Sequence, residues 1–139
     1  MAWVVDTCLL LDVGLDDPDF GAESEALLKK KSAAGLTVSP VTFVELAPAF
    51  GGELGSLRKF LSALDVDFDE LWEVSDTEHA ARAWARHILD RRAAAQRDPK
   101  RPVADALIGA FALRFDGLLT RNTADFRKLY PKLRLVSPV

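Results

Sequence analysis

Four short apolar runs, at residues 3–5, 36–39, 117–120 and 133–136, alternate with longer stretches whose apolar residues recur every three to four positions, and this alternation restricts the chain to a strand–helix architecture. The helical stretches fall at residues 22–34, 40–50, 53–64, 79–95 and 102–115. Pro40 occupies a permitted early position in the second, Gly51 and Gly52 precede the third, Asp76 or Thr77 is the expected cap of the fourth, and Pro102 opens the fifth. Residues 71–74 are a weaker strand candidate, suited to a sheet edge. Strands separated by helices pair in parallel through right-handed crossovers, and such a sheet is covered by helices on both faces.

Three acids interrupt this apolar patterning. Asp6 ends the run Val4-Val5, Glu45 lies within Val41-Thr42-Phe43-Val44-Glu45-Leu46-Ala47, and Asp105 within Ala104-Asp105-Ala106-Leu107-Ile108. A buried, unpaired carboxylate costs several kcal/mol, roughly, so it neutralises, pairs with a cation or holds a metal. Taken singly, each has an ordinary role. Asp6 suits a turn, Glu45 a helix surface, and Asp105 a helix N-terminus. Those roles leave unexplained why all three stand in apolar runs without a Lys or Arg beside them. Open α/β sheets bind ligands outside the carboxyl ends of their strands. Asp6 lies at such an end, Thr120, Asn122 and Asp125 follow another, and the spacing of Val41, Glu45 and Ala49 points the glutamate inward. Oxygen ligands of this kind suit a hard divalent cation, which commonly takes one or two carboxylates together with water and substrate phosphate.

The chain has 139 residues, of which 49% are hydrophobic, enough for one domain with its own core. Its formal net charge of -3 does not announce a nucleic-acid binder, but acids gathered at one site can mask a basic surface elsewhere. Cys8 is the only cysteine, which excludes an intramolecular disulfide and suits a reducing compartment. With neither a signal-peptide pattern nor a membrane-spanning apolar run, the expectation is a soluble cytoplasmic protein that does not engage the membrane.

Val4-Val5-Asp6-Thr7, Ser39-Pro40-Val41-Thr42-Phe43-Val44-Glu45-Leu46, Asp105-Ala106-Leu107-Ile108-Gly109-Ala110 and Leu119-Thr120-Arg121-Asn122-Thr123-Ala124-Asp125-Phe126 resemble, in order, the successive motifs of PIN-domain nucleases, and most of all the VapC-type toxins of toxin–antitoxin pairs. The resemblance spans essentially the whole chain. It implies a three-layer α/β/α sandwich with a central, mainly parallel sheet of four or five strands. It also implies a Mg²⁺- or Mn²⁺-dependent endoribonuclease, dimeric and restrained by a cognate antitoxin protein. Position by position, Asp6, Glu45 and Asp105 match the metal-binding acids, Thr120 matches the hydroxyl residue beside them, and either Asn122 or Asp125 occupies the fourth acidic place. Activation of a water by the metal requires no protein nucleophile.

Competing readings make their own demands on the sequence. A thiolate mechanism at Cys8 needs an activating partner, and His79 and His87 lie in an Ala- and Arg-rich run without one. An aspartate-based phosphotransfer domain also places an Asp after its first strand, but the dehalogenase-like version wants a second acid where Cys8 stands. A catalytically inactive PIN-fold interaction module requires a broken acid set, whereas Asp6, Glu45 and Asp105 are all present. Trp3, Trp72 and Trp84 read as core or interface anchors rather than base-stacking platforms.

For an RNA substrate, Arg97, Lys100 and Arg101 lie in a basic segment just before Asp105, and Arg121, Arg127 and Lys128 extend it. Leu57, Phe60, Leu61 and Leu64 form a stripe that could be presented to a dimer partner or an antitoxin helix.

Overall fold

The computed structural model describes residues 2–96 and 102–138. Five parallel strands, β1 (Trp3–Val5), β2 (Leu36–Thr37), β3 (Val66–Asp67), β4 (Gly117–Leu119) and β5 (Leu135–Val136), form one sheet in the order β3-β2-β1-β4-β5. The helices are α1 (Thr7–Gly14), α2 (Gly21–Lys31), α3 (Pro40–Leu46), α4 (Leu54–Ala63), α5 (Val74–Ala93), α6 (Val103–Ala112) and α7 (Thr123–Leu129).

Alternation along each strand sends neighbouring side chains to opposite faces. Val5 and Leu119 join Leu9, Leu10, Leu28, Leu46 and Leu57 in a core beneath α1 to α4. Val4 and Leu118 join Ala83, Ile108, Phe111 and Phe126 in a second core beneath α5 to α7. The result is the expected three-layer α/β/α sandwich. No helix among the described residues is long and apolar enough to cross a membrane.

Several elements differ from the sequence expectation. The edge strand is Val66–Asp67, not residues 71–74: Leu71 is exposed, Trp72 stacks on Phe111 and donates its indole N–H to Thr77, and α5 already begins at Val74. A two-residue edge strand that buries Val66 and exposes Asp67 carries almost no apolar signal. Asp76 is not the cap of α5. Glu73 caps the helix, and Asp76, at the third helical position, closes a capping box and is buried against Arg114. Helices α1 and α7 are absent from the sequence expectation: Leu9-Leu10-Leu11 is a short apolar run without helical spacing, and α7 is only 7 residues long. The stretch expected as one helix over 40–50 divides into α3 and a 3₁₀ turn at Ala47–Phe50. Leu57 and Leu61 are fully buried in this chain's own core, with Phe60 and Leu64 partly buried against them, so the first two are not available for docking.

Gly109 shows how tightly α6 seats. Glycine in a helix interior is ordinarily a liability, yet a Cβ here would land on the ring of Tyr130, whose hydroxyl donates to the Ala106 carbonyl one turn earlier. Gly109→Ala is therefore expected to destabilise by about 1–3 kcal/mol, opposite in sign to helix propensity. Urea unfolding checks this, and a stabilised variant would contradict the packing.

Candidate active site

Asp6 stands where β1 ends and α1 begins. Its backbone is extended (φ -72°, ψ 150°), and its Oδ1 accepts the Thr7 N–H at 2.8 Å, so it caps α1. Oδ2 accepts the Thr120 hydroxyl at 2.7 Å and the Cys8 thiol at 3.4 Å. Thr120 follows β4, the strand beside β1, and its hydroxyl also accepts the Asn122 N–H at 3.0 Å. Parallel register thus places the two strand ends, and their side chains, on one rim.

Glu45 reaches the same rim through Thr7, whose hydroxyl donates to Glu45 Oε1 at 2.7 Å and lies 3.1 Å from the Thr42 hydroxyl. The glutamate is exposed rather than inward-facing, because Thr42 and Leu46 take the buried side of α3. Burial raises the pKa of Asp6 above the ordinary carboxylate value, the bonds from Thr120, Cys8 and Thr7 oppose the rise, and the charge of Glu45 adds to it.

The other expected site residues lie on α6 and at the start of α7. Asp105 is half-buried in the first turn of α6, Asp125 is half-buried in the first turn of α7, and Asn122 is exposed at the N-terminus of α7. Among the described residues, no three His, Cys, Asp or Glu side chains converge into a closed metal cluster. The structure links Asp6 to Thr120 directly and to Glu45 through Thr7.

Arg121, expected at an RNA surface, directs Nε and Nη2 at Asp12, at 2.8 and 2.9 Å, with its guanidinium 4.2 Å from the centre of the Phe20 ring. Arg97, Lys100 and Arg101 lie outside the described residues.

Asp12 was missed, although Leu9-Leu10-Leu11-Asp12-Val13 sets an acid in an apolar run just as the singled-out segments do. It makes a telling comparison. Among the described residues three aspartates are buried: Asp12 is paired with Arg121, Asp76 with Arg114, and Asp6 with hydroxyl, thiol and amide donors only. Asp6 is the one whose negative charge has no cationic partner, and Glu45 adds a second negative charge beside it. An acceptor-only carboxylate set of this composition fits a hard divalent cation.

Cys8 is no candidate nucleophile. Burial, with the Asp6 charge in support, pushes its thiol up to about 12. Alkylation by iodoacetamide at pH 8 is expected to be slow until the chain unfolds, and rapid modification of the folded protein would contradict the assignment.

The PIN domain family model matches residues 3–131. Among curated proteins, no sequence matches the chain. The chain is structurally similar to one in the crystal structure of VapBC2 from Rickettsia felis bound to a DNA fragment from their promoter, with a TM-score of 0.59 at 15% identity over 99% of this chain and 98% of that one. That likeness establishes the shared fold. The family match, covering nearly the whole length and all four motif regions, establishes more: the chain belongs to the PIN domain family.

Proposed function

We propose that the chain is a Mg²⁺- or Mn²⁺-dependent endoribonuclease and the toxin of a toxin–antitoxin pair, its single nuclease domain spanning the chain. The observation that carries the reading is Asp6, buried at the carboxyl end of the central strand of a PIN-family fold and unmatched by any cationic side chain among the described residues. Asp6 would be the fixed ligand, with Glu45, Asp105 and Asp125 as the further carboxylates. A bound cation would supply Lewis acidity and a water of lowered pKa.

The chain's own residues prepare that site. Thr120 fixes Asp6 Oδ2 by its hydroxyl bond, Thr7 orients Glu45 from the first residue of α1, and the Asp6–Thr7 cap sets the direction in which the helix leaves the sheet. Kinship in fold with the VapBC2 chain supports an antitoxin partner. A homodimer, and a cytoplasmic location consistent with the lone unpaired cysteine, complete the reading.

The test is incubation of the purified chain with single-stranded RNA and with DNA of the same sequence, in Mg²⁺, in Mn²⁺ and in EDTA. RNA cleavage that requires the metal is expected. Cleavage undiminished by EDTA, or RNA left intact in both metals, would overturn the reading.

A further inference from the structure

We propose that Arg121 is a positioning residue for the acidic site, a role that rests on the metal-dependent reading above. Two segments build the core of that site: α1 with its cap Asp6, and the loop from β4 to α7, which carries Thr120. At the Asp6 end they are joined by the Thr120 hydroxyl, which donates to Asp6, and by the Asp6 N–H, which donates to the Leu119 carbonyl at 3.0 Å. The structure has a second attachment. Arg121, the residue after Thr120, grips Asp12 near the other end of α1 with a two-pronged bond at 2.8 and 2.9 Å.

Asp12 is itself held by the Ser24 hydroxyl at 2.8 Å, from α2, and the guanidinium lies over Phe20 in the connection between α1 and α2. The fork is thus anchored on two helices. Two attachments, at residues 120 and 121 on one side and at Asp6 and Asp12 on the other, fix both the distance and the rotation of the loop. The same loop backbone is tied to Thr120 through the Asn122 N–H, and Asp125 follows in the first turn of α7. Arg121 therefore governs whether the Thr120 hydroxyl meets Asp6 and how Asp125 is presented. A lysine keeps the charge but cannot reproduce a planar fork.

The experiment measures Mn²⁺ affinity by calorimetry on the full chain for the native protein, Arg121→Lys, Asp12→Glu and Asp6→Asn, with thermal melting in parallel. Asp12→Glu retains the ion pair but lengthens its strut, so it supplies the answer if Arg121→Lys fails to fold. Both positioning variants are expected to remain folded and lose about tenfold in Mn²⁺ affinity, the lower end of what outer-shell changes cost. The salt dependence of binding to a single-stranded RNA oligonucleotide in EDTA should stay as in the native chain.

Folded variants with native Mn²⁺ affinity would overturn the inference. If, in addition, Arg121→Gln flattened the logarithmic salt slope by about 0.7, Arg121 would be a phosphate contact instead. Equal Mn²⁺ binding by the native chain and Asp6→Asn would overturn the metal-site reading itself, and this role with it.

Discussion

Asp6→Asn is expected to lower metal-dependent RNA cleavage by about three orders of magnitude while making the metal-free protein more stable. The loss follows from removing the charged ligand. Metal stabilisation of a phosphoryl transition state is worth several kcal/mol, and each 1.4 kcal/mol, roughly, is tenfold in rate. The gain in stability follows from the same carboxylate. Burial raises the Asp6 pKa in the folded chain above its unfolded value, so the folded state holds its proton more tightly. That contribution favours folding below the unfolded pKa and is lost as pH rises through the folded one. Above its folded pKa the native chain carries a buried negative charge with no cationic partner among the described residues, and asparagine, which keeps an oxygen to cap α1, does not. The variant should melt higher by a margin on the order of 1 kcal/mol at pH values above the folded pKa of Asp6, and the gap should shrink as pH falls through that pKa. Saturating Mn²⁺ should reverse the order, because only the native site gains from binding. Melting curves across pH, with and without Mn²⁺, check every part of this.

The largest expected loss of stability lies elsewhere, at Arg114. Its Nε and Nη2 donate to Asp76 at 2.9 and 2.8 Å, Nη2 also reaches the Leu71 carbonyl, and the guanidinium lies against Phe111 and Phe115. This joins the start of α5 to the end of α6. Arg114→Ala would strand a carboxylate whose side chain is 0% exposed, at a cost of about 3–5 kcal/mol. The paired change Asp76→Leu with Arg114→Met should recover much of that loss, since replacing a whole buried pair is far cheaper than orphaning one partner. The pH dependence has the opposite sign to that of Asp6. Burial alone would raise the Asp76 pKa, but the bonds from Arg114 and the Glu73 N–H hold it below the usual carboxylate range. Its contribution is present above the unfolded pKa, near 4, and is lost as pH falls through the folded value. Urea titrations at pH 7 and in mild acid measure both effects, and an Arg114→Ala midpoint within error of native would contradict them.

How much of this was legible in the residues alone varies with how local the cause is. The alternation of strands and helices, the parallel sheet and the rim position of Asp6 and Thr120 follow from apolar periodicity and from where each run stops. The edge strand Val66–Asp67 did not, because two residues exposed on one side carry almost no pattern. Helix α1 was hidden because its apolar face continues the apolar run of β1 with only Asp6-Thr7 between them. At the site, Asp6 was recognised by the mismatch between its charge and its setting. The identical mismatch at Asp12 passed unnoticed, and its resolution by Arg121, 109 positions away, is a tertiary fact that no local pattern contains. The stripe of Val41, Glu45 and Ala49 points the glutamate inward, but Thr42 and Leu46 take the buried side of so short a helix.

The claim on which the account turns is that Asp6 and Glu45 hold a divalent cation. Mn²⁺ binding followed by electron paramagnetic resonance on the native chain, Asp6→Asn and Glu45→Gln tests it most directly, without RNA and without turnover. Stoichiometric binding by the native chain, loss of binding in Asp6→Asn and at least a tenfold weakening in Glu45→Gln are expected. Undiminished binding in both variants would contradict it.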